Sequence, residues 1–255
     1  MHCFMAILVS GLSIGGHEPW VGLPLTRAAQ AAGHKVIATS RNPSRTPDLV
    51  AEIESKEGKW VQLDVDSRGC GNVTTDLESS SEHIDVMAVL PHIRQRKSGA
   101  IINMSSGTSL DGIPAMGVYA GAKAGMNALT KILAKEVTPF NIRTLTVILG
   151  TFNTNIPNSV VSCETPPLED YKGTLTKLVQ VLLVSGNIKP KSDKDKAVQA
   201  VFQVVADEGI GEGKQIEKLL PLGSGMTPHL KGVLDYLGNA VDVSGSVTNS
   251  VDVAK

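Results

Sequence analysis

Apolar and polar positions alternate along this chain in blocks rather than singly, and the blocks change period. Phe4–Ser10 is a continuous apolar run, the pattern of a strand buried on both faces. A glycine-rich stretch follows, then a helix-like segment to Ala32 that Gly33 stops, then a second strand, Lys35–Thr39. Helical patterning predicts further elements at Pro47–Gly58 and, weakly, at Ser67–Glu82, where Gly69, Gly71 and a serine run lower the propensity. Two or three residues of strand near Ile84–Val86 lead into a short helix over Met87–Arg96 and a strand at Ala100–Met104. Gly117–Val137 is the strongest helix, stopped by Pro139, and Ile142–Leu149 is a buried strand. Asn153–Gly173, rich in Pro, Asn and Thr, reads as loop; Ser192 caps a helix to about Asp207; Gly245–Lys255 reads as frayed. Strands that alternate with helices predict one α/β domain built on a doubly wound parallel sheet.

Chemistry enters at two places. The first strand, the glycines Gly11, Gly15, Gly16 and Gly22, the helix and the second strand fall within about 35 residues, the spacing of a dinucleotide-binding unit. Glycines let backbone approach a pyrophosphate, and the helix start offers free N–H groups and a positive dipole end. Farther on, Ser106 stands thirteen residues before Tyr119, which stands four before Lys123. Residues four apart share a helix face, so a lysine ammonium beside the phenol is expected to hold its pKa below about 10 and let it work as acid or base. Ser106, just beyond an apolar strand, is expected at the strand's mouth, where a hydroxyl can bind a reacting carbonyl.

On these residues the chain resembles the short-chain dehydrogenase/reductase family, and within it fungal-type members with a long carboxyl-terminal segment. Ser10-Gly11 through Val21-Gly22 resembles the family's phosphate loop, Leu63-Asp64-Val65 its adenine-side motif, and Ile101–Ser106 with Tyr119-x-x-x-Lys123 its catalytic strand and helix. Gly150-Thr-Phe-Asn-Thr154 matches the nicotinamide-side motif, with Leu149 in place of a proline. The resemblance implies a Rossmann-type domain over residues 1–255, with 1–110 mainly nucleotide-binding and 111–255 carrying the catalytic helix, substrate loop and carboxyl-terminal segment. It also implies Tyr119 as general acid/base, Lys123 on the nicotinamide ribose and lowering the tyrosine's pKa, and Ser106 on the substrate carbonyl. Gly11, Gly15, Gly16, Gly22, Asp64, Gly150 and Thr154 are the implied cofactor contacts, with Tyr119 and Lys123.

Arg41 lies nineteen residues after Gly22, where an acidic residue would select NAD and an arginine accommodates a 2′-phosphate. With no Asp or Glu before Asp48 and Arg45 close by, NADP(H) is the expected cofactor. Two departures from the family pattern bear on activity. His17-Glu-Pro-Trp20 lengthens the glycine loop, and the family's Asn-Asn-Ala-Gly turn and long helix are missing between Val86 and Met87. The fourth strand and its following helix are therefore expected to be truncated, the relay asparagine lost, and a homo-oligomer weakened for want of the helix through which relatives pair.

Composition narrows the setting. With 255 residues, 42% of them hydrophobic, the chain can bury one substantial core. A formal charge of −1 with scattered lysines gives no basic face, against a nucleic-acid partner. Cys3, Cys70 and Cys163 are odd in number and unpatterned, which points to a reducing, cytoplasmic setting and away from disulfides or a metal site. No signal peptide and no membrane span is expected. The expected activity is hydride transfer between NADP(H) and a small-molecule carbonyl or alcohol. Two other readings stand beside it: a nucleotide-binding or scaffold protein of the same fold that has lost turnover, and a mis-spliced form of an active reductase.

Overall fold

The computed structural model describes residues 22–63, 90–152, 169–185, 191–215 and 217–251. Gly22–Ala31 is α1, which buries Leu23, Leu25, Thr26 and Ala29 and ends before Gly33, whose φ of +82° suits a residue without Cβ. Strand β1, Ile37–Ser40, then α2, Pro47–Glu54, and β2, Lys59–Gln62, complete the first half, with β1 and β2 parallel and Ile37 level with Lys59. The β1 strand runs one residue past the expected Thr39, and α2 stops at Glu54 rather than continuing to Gly58. The reason is local: Ser55–Glu57 form a turn in which Glu57 takes φ +60°, which no helix accommodates. The expected elements at Phe4–Ser10, Ser67–Glu82 and Ile84–Val86 lie outside the described residues, so the truncated fourth strand does too.

The second half begins with the short helix α3, Leu90–Arg96, within the span expected for it, and β3, Gly99–Ser106. After a single turn, α4 (Thr108–Asp111), come α5, Gly117–Val137, and β4, Ile142–Leu149, both with the bounds their sequence predicts. Helices α6, Leu175–Ser185, and α7, Lys194–Ala206, precede β5, Leu219–Leu222, and α8, Met226–Asn249, follows it. The three strands pair in parallel in the order β3-β4-β5, Ser106 level with Leu149 and Leu149 with Leu222.

Strand β4 is central and buried on both faces. Its Leu145, Val147 and Leu149 pack with Leu25 and Ala29 of α1 and Val198, Val201 and Phe202 of α7. On the opposite face Ile142 joins Ile101 of β3, Leu133 and Val137 of α5, and Ile37 of β1. Helices thus cover both faces of a parallel sheet, the doubly wound Rossmann-type α/β arrangement in a single domain. The Arg143 guanidinium donates to the Val205 and Val204 carbonyls at 3.1 and 3.2 Å, satisfying the last carbonyls of α7.

Two sequence expectations are corrected here. Asp193, not Ser192, caps α7: its carboxylate accepts from the Asp195 and Lys196 amides at 2.9 and 3.1 Å. Ser192 is drawn the other way, its Oγ accepting from Ser224 N at 2.8 Å while its backbone bridges Phe152. And the segment from Gly245, expected to fray, continues α8 to Asn249. Among the described residues no helix is long and apolar enough to cross a membrane.

Candidate active site

Parallel strands end at one edge, and three of the expected residues end with them: Arg41 just past β1, Ser106 at the last position of β3, Gly150 just past β4. This carboxyl edge is where ligands of open α/β sheets bind. It is knitted together by Gly107 N donating to Leu149 O (2.9 Å) and Gly150 N to Leu222 O (2.8 Å). Helix α5 starts beside it, so its second residue after the start, Tyr119, and Lys123 one turn on face the end of β3. Both are half-buried. Gly22 opens α1; Gly11, Gly15, Gly16, Asp64 and Thr154 lie outside the described residues.

The expected tyrosine–lysine arrangement is corrected in its electrostatics. Lys123 Nζ donates to the Met104 carbonyl at 2.9 Å and stands 6.0 Å from the centre of the Tyr119 ring. It thus meets the strand carbonyl and the face of the ring. Burial pushes the Tyr119 phenol above its ordinary value near 10, and the Ser106 hydroxyl pulls it back only in part. Burial likewise lowers Lys123, since an ammonium taken from water loses hydration that one carbonyl replaces incompletely.

Ser106 is held from several sides. Its Oγ accepts from Thr108 Oγ1 at 3.1 Å, and its carbonyl accepts from Ser109 Oγ at 2.6 Å. Ser109 in turn accepts from Asn127 Nδ2 at 2.7 Å, while Asn127 Oδ1 is buried with no partner among the described residues. From the far end of the chain, His229 on α8 puts Nε2 3.0 Å from the Gly107 carbonyl and 3.4 Å from Asp111 Oδ1. A carbonyl and a carboxylate only accept, so Nε2 carries the proton. Met226 lies over the same turn: a Cβ on Gly150 would meet its Cγ at 3.2 Å, closer than ordinary packing tolerates.

Asn127, Ser109, Met226 and His229 were absent from the sequence reading. Asn127 had a signal, since it sits one turn past Lys123 on the face that carries Tyr119. The pair from α8 had none, because nothing local relates residues more than a hundred positions apart. Among the described residues no three His, Cys, Asp or Glu side chains gather as a metal site would require.

The short chain dehydrogenase family profile matches residues 83–165, the stretch that holds β3, the catalytic-helix motif and β4. A short-chain dehydrogenase from Streptomyces avermitilis superposes with a TM-score of 0.79 at 25% identity, covering 98% of each chain. The 3-ketodihydrosphingosine reductase of Bacteroides thetaiotaomicron is 29% identical over 208 residues, 69% of this chain and 75% of the relative. The oxidoreductase claN of Passalora fulva is 28% identical over 174 residues, 54% of this chain and 80% of the relative. The chain belongs to the short-chain dehydrogenase/reductase family of oxidoreductases, whose members use nicotinamide cofactors.

Proposed function

We propose that this oxidoreductase transfers hydride between NADP(H) and a small carbonyl or alcohol substrate, with Tyr119 as the general acid/base. The observation that carries it is the meeting of Ser106, Tyr119 and Lys123 at the carboxyl end of β3, with the phenol facing the serine hydroxyl. Residues 1–110 mainly hold the nucleotide; 111–255 bring the acid/base helix, the substrate loop and the carboxyl-terminal helix.

The residues present fit a nicotinamide nucleotide. Lys123 uses one of its three N–H donors on Met104 O, and the others suit the hydroxyls of a ribose. Gly150 keeps the turn after β4 free of a side chain, and Arg41 is exposed at the end of β1, where its charge suits a 2′-phosphate. The bound nicotinamide supplies or takes up the hydride. Ser106 Oγ orients the substrate oxygen. In reduction Tyr119 gives its proton to that oxygen as the carbonyl carbon becomes an alcohol, and in oxidation the phenolate takes the proton back. A neutral phenol is the acid form, and burial keeps Tyr119 neutral across the physiological range.

A second reading, nucleotide binding with little turnover, is favoured by Lys123, whose ammonium is bound by the Met104 carbonyl, and by a Tyr119 phenol whose pKa is raised by burial. Titration with NADPH and NADH, read by nicotinamide fluorescence, and NADPH oxidation across a carbonyl panel separate the two. Under the reductase reading, Tyr119→Phe lowers kcat by about three orders of magnitude and leaves NADPH affinity within about twofold, because the hydroxyl acts in the transition state. Near-parental turnover in Tyr119→Phe removes the proton-donor role. NADPH binding with no turnover in the parent selects the second reading.

A further inference from the structure

Among the described residues, only the base of α8 rests on the body of the protein. Met226 is buried, His229 and Leu230 are half-buried, and from Leu234 onward nearly every residue is open to water. Yet this exposed part is apolar. Leu234 is 66% exposed, Leu237 54% and Val241 71%, with Tyr236, Val243 and Val247 exposed beside them. A helix of 24 residues spans about 36 Å, and one this apolar does not stand alone in water.

The apolar positions are ordered. Leu230, Leu234, Leu237 and Val241 recur at intervals of four, three and four, the spacing of a coiled-coil seam. The helix's charged side chains, Lys231, Asp235 and Asp242, all fall along one edge of that seam. We infer that α8 pairs antiparallel with α8 of a second copy of this chain. About a dyad between Asp235 and Tyr236, Leu230 of one copy meets Val241 of the other, and Leu234 meets Leu237. Each Lys231 then stands about 3 Å along the axis from the other copy's Asp242, on the same edge. This register forms two Lys231–Asp242 pairs against a single like pair, the two Asp235 side chains that stand level across the dyad. In a parallel pair the two charged edges would lie on opposite sides of the seam, and Lys231 would meet no aspartate. With one lysine against two aspartates, the helix offers no basic edge to an anionic lipid surface, so a second copy is the better occupant. This surface is distinct from the exposed apolar side chains of α5, Val118, Leu129 and Ile132.

Sedimentation velocity of the full chain between about 1 and 100 µM tests the pairing, independently of any activity. The parent sediments as a dimer. Leu237→Asp, at an exposed position that folding does not need, raises the dissociation constant at least about a hundredfold. Lys231→Asp and Asp242→Lys each weaken the dimer about tenfold, and the double exchange brings it back to within about threefold of the parent. A monomeric parent, a Leu237→Asp variant still dimeric through another face, or a double exchange no better than the single ones overturns the inference. So does a monomeric parent that cosediments with phosphatidylcholine–phosphatidylserine vesicles, which would make α8 a lipid-binding helix.

Discussion

Lys123 shows how one side chain's partner sets the chemistry of another. Spacing on the helix face places it a turn from Tyr119, but spacing does not say where a four-carbon stem points. The Met104 carbonyl, 2.9 Å from Nζ, takes the ammonium, and the phenol's pKa rises with burial instead of falling. In the proposed function Lys123 therefore serves the nucleotide more than the phenol. Lys123→Ala is expected to weaken NADPH binding and slow turnover together, in contrast to Tyr119→Phe. Arg41 tests cofactor choice at the same scale. Arg41→Asp should weaken NADPH at least about thirtyfold more than NADH, because a charge-assisted contact to the 2′-phosphate becomes a like-charge clash. Equal losses for the two nucleotides, read by fluorescence titration, would show that Arg41 does not read the phosphate.

At the scale of elements, the ends of helices differ most from what the sequence suggests. Ser192 and Asp193 are both good caps, and adjacent. The choice falls to Asp193 because Ser192 is held in a bridge to Phe152 and in a bond from Ser224, contacts that bring distant loops together. The Lys196 and Asp195 amides hold the Asp193 carboxyl below the usual carboxylate range. Asp193→Ala should therefore lower the melting temperature by about 3 °C, and Ser192→Ala should act instead through the Ser224 turn. Thermal unfolding followed by circular dichroism distinguishes them: an unchanged midpoint in Asp193→Ala would mean the cap adds nothing. Helix α5 needed no such arbitration, since a long apolar-periodic run closed by Pro139 fixes both of its ends.

Across the molecule, α1 and α2 are joined by Arg27, whose Nε and Nη2 donate to Glu52 Oε1 and Oε2 at 2.8 and 2.5 Å, with Lys56 adding a third contact at 3.3 Å. The Arg27 bond is the main reason the Glu52 carboxyl falls to about 2 from 4.5. A carboxyl depressed in the folded state stabilises it above its unfolded value and loses that contribution as pH falls through the folded one. Between about pH 4.5 and 2 the parent should thus lose stability that Glu52→Gln never had, at most about 1 kcal/mol after screening by solvent. Urea unfolding at pH 7 and pH 3 reads it: the gap between parent and variant should shrink at pH 3, and a constant gap would detach the ion pair from acid stability.

What the sequence determined by itself is local or periodic. The bounds of β4 and α5, the alternation that makes a parallel sheet with two covered faces, and the spacing that puts Ser106, Tyr119 and Lys123 on a strand end and one helix face all follow from patterns within about twenty residues. Tertiary structure decided whatever depends on a partner far along the chain. It seats Met226 and His229 of α8 against the turn after Ser106, gives Lys123 to a strand carbonyl and Ser192 to the Ser224 turn. It also leaves α8 helical to Asn249, past the glycine at which the sequence read as frayed. A hydrogen bond or a packed methyl goes to the group nearest in space, and a one-dimensional pattern records distance only along the chain.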